Sequence, residues 1–321
     1  MRCTSFVALC VAAVLQASSS FADTTKMTIA TGVDPSFSAY YVAKSAGIFE
    51  KNGLDVQVNT GPSGSAMVAY VIQNQVQSAF GAEAAGVQNH NIDPNVVVAA
   101  EGALMLQWYG LVARDYTSLD QLKGKKIGVA RGSASEVFWL AMIDKFKLNA
   151  ADFKIVQVEA PEMVAALERH DIDAFSAWEP WLTRAVASIP NTKLLQTNEG
   201  VMSPRVYIYL NRGWAEKNPA AATSFMRSMV EATEFINKEP AKASTMVAAF
   251  LKLDKDLTES LMKKLQFDVR LDDKSMENFV TVQEQLKGLG KLAKPVDFKQ
   301  FVDSDFLKKV RPDSVNLSIL K

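Results

Sequence analysis

Cysteine and histidine are almost absent from this sequence. Only Cys3 and Cys10 occur among the 321 residues, and both lie within the first ten positions. The chain after residue 22 therefore has no thiol for a nucleophile, a disulfide or zinc ligation. The two histidines, His90 and His170, stand far apart, and we expect both on the surface. They form no His-x-x-x-His or Ser/His/Asp pattern, so the sequence offers little for enzyme chemistry.

An excess of either charge is also lacking. Lys+Arg number 35 and Asp+Glu number 35, so the formal net charge is zero. This balance argues against a nucleic-acid-binding protein, which needs a basic face to neutralise phosphates. Hydrophobic residues make up 48% and charged residues 22%, which is typical of a globular protein with real cores. At roughly 100–200 residues per domain, the length fits about two domains.

Long hydrophobic runs are missing too, and the first 22 residues have instead the pattern of a secretory signal peptide. Arg2 supplies a positive charge, a short apolar stretch follows, and Ser20-Phe21-Ala22 is a small-x-small cleavage pattern. A membrane-spanning helix would need about 20 apolar residues. We predict cleavage before Asp23 and a soluble periplasmic product. Lipidation at Cys10 is disfavoured by the bulky Leu9 before it.

Short β-like runs alternate with helix-like runs after the signal, which predicts parallel strands joined by helices. The predicted strands are 27–31, 54–59, 78–81, 96–100, 111–113, 126–130, 155–158, 174–177, 193–195 and 206–210. From Pro219 to Leu289 the pattern predicts only helices. This helical tail is either a separate domain or packs back on the first α/β unit.

The second arrangement gives an α/β protein with two lobes. Residues 1–22 are the signal peptide, 23–110 the first part of lobe 1, 111–205 lobe 2, and 206–321 the second, mostly helical part of lobe 1. The chain then crosses near Tyr109–Arg114 and returns near Pro204–Asn211. Two crossings make a hinge.

Several segments together carry a resemblance to a known family. They are YYVAKSAGIFEKNGLDV (40–56), SLDQLKGKKIGV (118–129), Gly132-Ser133 and AWEPW (177–181). These strings resemble periplasmic solute-binding proteins of the nitrate/sulfonate/taurine importer class, over most of the mature chain. The resemblance implies the type II periplasmic-binding-protein fold, with C-terminal helices on the first lobe and a solute in the cleft. It also implies ABC import, with an inner-membrane permease as partner.

The segment from Arg131 to Glu136 follows a predicted strand and opens a helix. Such a helix start presents free N–H groups and a partial positive charge, and the hydroxyls of Ser133 and Ser135 add donors for an anion. The resemblance places this turn, including Gly132, at the cleft. The alternative is a capping box, because Ser133-x-x-Glu136 has that spacing.

Lobe 1 has an equivalent turn, in which Ser63 and Ser65 are candidate donors to the same ligand from the opposite wall. Proline, glycine and serine are also ordinary turn residues, so this motif alone is weak. Ser36 and Phe37 lie in the loop after the first strand. We expect them at the cleft because α/β sheets bind ligands beyond the carboxyl ends of their strands.

Acidic and aromatic residues point to an amine or a nitrogen-bearing ring. Glu83 follows a strand that should end at the cleft, although an acid there also favours the helix dipole. Trp178 is a candidate wall over the solute, and Glu179 a candidate acceptor for an amine, unless it serves only as a first-turn acid. Trp108 and Tyr109 lie at the first crossing, where we expect them to pack the hinge.

We therefore expect a monomeric, non-enzymatic solute-binding protein that delivers a small solute to an ABC permease, with no metal, cofactor or nucleic acid. A taurine-like zwitterion suits both the serine-bearing helix starts and the acids. A flat nitrogen heterocycle such as a pyrimidine is the alternative, and nitrate alone would leave the aromatic wall unused.

Two other classes of function remain open. The fold is similar to that of pyrimidine-forming thiamine-precursor synthases, but those rely on an active-site histidine and a cysteine-rich patch. The third hypothesis is a periplasmic sensory or chaperone-like module that uses the binding lobes to regulate a partner.

Overall fold

The strands of the protein form two separate sheets. The structure is a computed structural model that describes residues 24–320, so the predicted signal peptide and its cleavage site lie outside the described residues. The strands are β1 (Thr25–Gly32), β2 (Leu54–Gly61), β3 (Ser78–Ala82), β4 (Val96–Met105), β5 (Tyr109–Arg114), β6 (Lys126–Val129), β7 (Lys154–Gln157), β8 (Ala174–Trp178), β9 (Thr192–Thr197), β10 (Arg205–Asn211), β11 (Leu265–Asp272) and β12 (Val315–Asn316).

Each sheet is the centre of one lobe. Lobe 1 contains a seven-stranded sheet in the order β12-β11-β4-β10-β3-β1-β2, and lobe 2 a five-stranded sheet in the order β7-β6-β8-β5-β9. The α-helices are α1 (Ser38–Ser45), α2 (Ile48–Lys51), α3 (Gly64–Ile72), α4 (Glu83–Ile92), α5 (Ala134–Lys145), α6 (Met163–Glu168), α7 (Trp181–Ser188), α8 (Arg212–Lys217), α9 (Pro219–Lys238), α10 (Pro240–Leu251), α11 (Lys255–Met262), α12 (Asp273–Gly288), α13 (Phe298–Phe301) and α14 (Asp305–Val310). Among residues 24–320, no helix is long and apolar enough to cross a membrane.

Strand directions only partly follow the prediction of parallel strands. Strand β1 is parallel to β2 and β3, and β6 is parallel to β7 and β8. Strand β10 is antiparallel to both β3 and β4, β5 to both β8 and β9, and β11 to β4, which corrects the prediction. Strands β4 and β10 carry the chain out of and back into the same sheet beside the other lobe. Strand β4 ends at the side of the sheet that faces lobe 2, and β10 begins there. The two neighbouring strands therefore run in opposite directions.

The chain passes between the sheets twice. It leaves the first sheet at Met105 and enters the second at Tyr109, then leaves at Thr197 and returns at Arg205. We call residues 106–108 the first connection and residues 198–204 the second connection. The first connection directly precedes the predicted crossing at Tyr109–Arg114, and the second overlaps the predicted return at Pro204–Asn211 only at Pro204. The rest of both predicted segments forms strands β5 and β10.

The prediction of an all-helical stretch from Pro219 to Leu289 is wrong at one place. Helices α9 to α12 occupy most of it, but strand β11 joins the first sheet between α11 and α12. Its side chains alternate between buried and more exposed, with Leu265, Phe267 and Val269 buried. This period of two is the signal of a half-buried strand.

The C-terminal helices complete the core of lobe 1, as the fold prediction requires. Tyr40 of α1 stacks on Phe80 of β3 with ring centroids 4.0 Å apart, and its edge meets Phe225 of α9 at 5.9 Å. All three side chains are fully buried. Large buried aromatics contribute most to core stability, so α9 is an integral part of lobe 1.

His90, expected on the surface, is instead buried between α4 and the rest of lobe 1. Its Nδ1 donates to the Val96 carbonyl oxygen (2.7 Å), and its ring lies 4.9 Å from that of Phe301. Burial is the main cause that lowers the pKa of this imidazole. The ring serves the packing of α4 on β4, and His170 is exposed.

Candidate functional site

A small cavity lies between the two lobes. Its lining residues are Asp34, Ser36, Phe37, Ser63, Gly64, Ser65, Ala82, Met105, Trp108, Tyr109, Ser133, Ala134, Trp178 and Val206. The cavity volume is about 30 Å³, whereas one buried water needs roughly 10–15 Å³. The lobes therefore stand close together. The lining contains one carboxyl group and several hydroxyls, but no lysine or arginine. Within residues 24–320, no three His, Cys, Asp or Glu side chains are grouped to hold a metal ion.

Asp34 is the one ionisable acid in this lining. It follows β1 and starts a turn over Pro35–Phe37, in which its Oδ1 accepts from the N–H (2.9 Å) and the hydroxyl (2.5 Å) of Ser36. The residue is 4% exposed. Burial raises its pKa to about 7, against the opposing effect of hydrogen bonds with Ser36 and Trp178. A buried carboxylate favours a partner with a positive charge or N–H donors, and no lining residue supplies a cation.

Helix α3 begins at the lobe 1 wall of the cavity. Ser63 caps it, and its Oγ accepts from the Ala66 N–H (3.2 Å). The N–H groups of Gly64 and Ser65 belong to the first turn and have no acceptor within the helix. Gly64 is required by close packing, because a Cβ there would lie 2.9 Å from the Phe80 carbonyl oxygen. This helix start therefore presents donors and a partial positive charge to the cavity.

Helix α5 begins at the opposite wall, in lobe 2. Ser133 caps it: its Oγ accepts from the Ser135 N–H (3.2 Å) and donates to the Ala130 carbonyl oxygen (2.7 Å). The Ser133 hydroxyl proton is thus used within the protein. What this wall offers to a ligand is the first-turn N–H of Ala134, together with the helix dipole. Helix starts from both lobes thus face one small cavity, an arrangement that suits an oxyanion.

Aromatic side chains form the apolar walls. Phe37 comes from lobe 1 and Trp108 from the first connection, while Tyr109 and Trp178 are paired across β5 and β8. All four are buried. Burial, together with the charges of nearby acids, raises the pKa of Tyr109, so its hydroxyl stays neutral. Flat aromatic faces suit the methylene groups or the ring of a small organic solute.

The structure brings most of the predicted binding residues together. Those that line the cavity are Ser36, Phe37, Ser63, Ser65, Ser133 and Trp178. They lie in turns that follow strands β1, β2 and β6 and at the end of β8, which fits the rule that α/β sheets bind ligands beyond the carboxyl ends of their strands. The predicted residues outside the lining are Glu83, Gly132, Ser135 and Glu179.

Glu83 is buried at the start of α4 with its carboxylate turned to protein partners. Its Oε1 accepts from the Arg205 backbone N–H (2.9 Å) and from the Asn278 side-chain amide (3.2 Å). Burial is the main cause that raises its pKa to about 7. The acid therefore joins β10 and α12 to α4, within lobe 1.

Glu179 forms a bridge between the lobes. Its Oε1 lies 2.6 Å from Lys264 Nζ of lobe 1. The carboxylate also accepts from the N–H and the hydroxyl of Thr183 at the start of α7, at 3.0 and 2.9 Å. These partners leave it little capacity for an amine of a solute.

Ser135 and Gly132 shape the turn before α5. The Ser135 hydroxyl donates to the Ser176 carbonyl oxygen (2.5 Å) and accepts from the Ala130 N–H (3.1 Å), which ties α5 to β8. Gly132 has a φ of 75°, a conformation that favours glycine. Its N–H donates to Glu136 Oε2 (2.8 Å), so the predicted capping box is incomplete.

Sequence reasoning missed Asp34 and the place of the first connection in the cavity lining. Asp34 directly precedes Pro35 after a predicted strand, and an Asp at such a turn is a recognisable signal. Trp108 and Tyr109 were expected to pack the hinge, and the structure places both in the cavity lining with Met105. Only the fold brings this segment against the loop after β1.

Comparison with known proteins identifies the family of this chain and relatives of similar length. The family model described as NMT1/THI5 like matches residues 34–243. A protein of Bacillus subtilis (strain 168), provisionally named an aliphatic sulfonates-binding protein, is 26% identical over 299 residues. That alignment covers 88% of this chain and 87% of the Bacillus protein.

Solved structures share the fold at low sequence identity. The alkanesulfonate-binding protein SsuA from Xanthomonas axonopodis pv. citri, bound to MOPS, is 15% identical with a TM-score of 0.78, covering 88% of this chain and 99% of that one. The desulfurization enzyme DSZB is also 15% identical, with a TM-score of 0.69, covering 90% and 99%. The same architecture thus occurs in a binding protein and in an enzyme.

Proposed function

The chain belongs to the NMT1/THI5-like family, and from that premise we propose that it is the exported solute-binding component of an ABC importer. Such a protein encloses a small solute between its lobes, here in the periplasm, and delivers it to a permease of the inner membrane. The small cavity between two lobes joined by two connections supports this proposal. So does the full-length similarity to a protein named for binding aliphatic sulfonates.

The solute is a small zwitterion of the taurine type, which carries an amine and a sulfonate. The observation that carries this choice is Asp34, a buried carboxyl in a lining that has no cationic side chain. An ammonium group on the solute supplies the missing charge. The starts of α3 and α5 supply N–H donors for the sulfonate oxygens. A purely anionic solute such as nitrate gains nothing from Asp34.

A nitrogen-bearing aromatic ring is the second candidate. Four aromatic side chains line the cavity, and ring N–H groups donate hydrogen bonds to Asp34 without bringing a charge. The two candidates differ in the oxyanion, which only the zwitterion carries.

Calorimetry with a matched ligand pair tests the zwitterion. We expect 2-aminoethanesulfonate to bind far more tightly than ethanesulfonate, because only the former pairs with Asp34. Asp34→Asn should abolish that preference. Glu83→Gln is the control, because this buried acid has a similar pKa and lies outside the lining. Equal affinity of the wild-type protein for both sulfonates rules out the zwitterion.

Native mass spectrometry of freshly purified protein, followed by a thermal-shift panel that includes pyrimidines, tests the second candidate. A ligand at about 100 times its Kd should add roughly 2.7 kcal/mol to the free energy of unfolding. The bound solute should be recovered chemically unchanged. A conversion of the solute would favour an enzyme, as in the neighbour DSZB.

A further inference from the structure

The side chain of Asn198 ties the two connections between the lobes to each other. Asn198 is the first residue of the second connection, and it is 2% exposed. Its Oδ1 accepts from the backbone N–H groups of Trp108 (2.8 Å) and Tyr109 (2.9 Å). Its Nδ2 donates to the carbonyl oxygens of Leu106 (2.5 Å) and Met105 (3.2 Å). One buried amide therefore holds the backbone on both sides of the first connection.

The backbone that Asn198 holds carries part of the cavity wall. Met105, Trp108 and Tyr109 all line the cavity, whereas Asn198 itself does not. The Asn198 N–H also donates to the Tyr109 carbonyl oxygen (3.0 Å). A displacement of Asn198 would thus move three lining side chains together, although Asn198 is not part of the lining.

We propose that Asn198 is a positioning residue for solute binding. It fixes the wall formed by Met105, Trp108 and Tyr109, and it makes the two connections bend as one hinge. This inference rests on the proposed binding function and adds to it the residue that couples lobe closure to the shape of the site. Without the tie, the connections would be joined only by the Gln107–Glu199 side-chain hydrogen bond (2.8 Å) and by backbone bonds such as that from the Met105 N–H to the Pro204 carbonyl oxygen (2.9 Å). The aromatic wall would then return less precisely to one position on closure.

The hydrogen-bond partners around position 198 require a side-chain amide. The Asn198 side chain accepts two N–H bonds with one end and donates to carbonyl oxygens with the other, and asparagine offers both in a short side chain. Aspartate has the same shape but no donor, so it would set a buried negative charge against the oxygens of Met105 and Leu106. Leucine has nearly the same size and neither function.

A matched control is available in lobe 1. Asn211 is also buried, at 5% exposure. Its Oδ1 accepts from the Trp214 N–H (2.9 Å), and its Nδ2 donates to Asn74 Oδ1 (2.8 Å) and the Val71 carbonyl oxygen (3.3 Å). None of these partners lines the cavity. Asn211→Asp should lower stability as a buried amide loss does, without affecting the site.

The experiment compares Asn198→Asp, Asn198→Leu and Asn211→Asp with the wild-type protein. Hydrogen exchange of the solute-free protein reports on the peptide that contains residues 105–109. We expect exchange there to quicken by tenfold or more in Asn198→Leu and to stay unchanged in Asn211→Asp. Calorimetry with 2-aminoethanesulfonate should show an affinity loss of tenfold or more in both Asn198 variants and none in Asn211→Asp.

Two results would overturn the proposal. One is wild-type affinity in a folded Asn198→Asp or Asn198→Leu variant, which would leave Asn198 with a role in stability alone. The other is unchanged exchange of residues 105–109 in Asn198→Leu, or in Asn198→Asp if the leucine variant does not fold. If the wild-type protein does not bind 2-aminoethanesulfonate, the proposed solute is wrong, and the exchange measurement still decides the role of Asn198.

Discussion

The buried carboxyl of Asp34 should lower the stability of the folded protein and raise its affinity for a positively charged solute. The folded protein buries this carboxyl in a small cavity that has no cation in its lining, and this burial raises the pKa of Asp34 to about 7. Such an arrangement is unfavourable for folding and favourable for a solute that brings a positive charge. Functional sites commonly show this opposition between stability and activity.

Replacing Asp34 with asparagine should therefore stabilise the solute-free protein at alkaline pH. The folded-state pKa is about 7 and the ordinary value is 3.8, so the native state binds the proton more tightly than the unfolded state. Stability contributed by this proton is lost as the pH rises from 3.8 through 7. Relative to wild type, Asp34→Asn should gain up to about 4 kcal/mol at pH 8. Urea unfolding at pH 4, 6 and 8 checks this, and a difference that is the same at all three values would contradict it.

The affinity for an amine-bearing solute should fall as the pH drops below about 7. A cationic solute pairs with the ionised form of Asp34, so protons compete with it. Well below that pKa, affinity should fall by about tenfold per pH unit. Calorimetry at pH 5, 6, 7 and 8 measures the profile, and the Asp34→Asn profile should be flat. A flat profile in the wild-type protein would mean that Asp34 does not meet a cation.

Helix α5 is held to lobe 1 by contacts at its first turn. Lys291, which follows α12 in lobe 1, forms an ion pair with Glu136 of α5. The Gln88 side chain of α4 donates to the Gly132 carbonyl oxygen (3.4 Å) in the same turn. Because the Ala134 end of α5 lines the cavity, these contacts hold this wall of the cavity against lobe 1.

Replacing Lys291 with methionine should weaken solute binding about two- to fivefold, mainly through faster dissociation. The Lys291 and Glu136 side chains are 28% and 16% exposed, and an ion pair of this kind contributes up to about 1 kcal/mol. Stopped-flow kinetics measures the rate, and added salt should reduce the difference from wild type.

Lys287→Met is the matched control for this prediction. It removes the same charge a few residues away, but its ion pair with Glu284 (3.5 Å) lies on α12, within lobe 1. This variant should bind solute as the wild-type protein does. An equal loss in both variants would show an effect of net charge and not of lobe contact.

The two lobes of the molecule stand close together. Ion pairs from both Lys264 and Lys291 span the lobes, and the cavity is only about 30 Å³. A solute enters such a site only if the lobes separate, and hinge closure is the usual motion of two-lobed binding proteins. We predict that this motion occurs at the short connections 106–108 and 198–204.

Small-angle scattering should therefore find the solute-free protein more extended than the solute-bound protein. The radius of gyration should fall on addition of saturating 2-aminoethanesulfonate, and it should stay the same with ethanesulfonate. A radius that does not change with any bound solute would count against a closing cleft.

The predicted strands of both sheets lie within a few residues of the observed ones, because short β-branched runs between turn residues depend little on tertiary context. Two features needed that context. The residues of β11 alternate as in a strand, but the predicted helices on both sides extend the helix prediction across them. The antiparallel direction of β10 results from the return of the chain to lobe 1. The roles of Glu83 and Glu179 were not readable either, since their partners Arg205 and Lys264 are far away in sequence.

The sequence by itself determined the fold class, the family resemblance, the export signal as a prediction, and the turns whose serines line the cavity together with Trp178. These properties depend on local sequence, that is, on the residue types that form turns and on which residues directly follow a strand. Tertiary structure alone decided which acid lines the cavity. Asp34 is the acid in the lining because the lobes enclose its side chain with no cation beside it. Glu83 and Glu179 are bound instead by groups far away in sequence, which are the Arg205 backbone N–H and the Lys264 ammonium group.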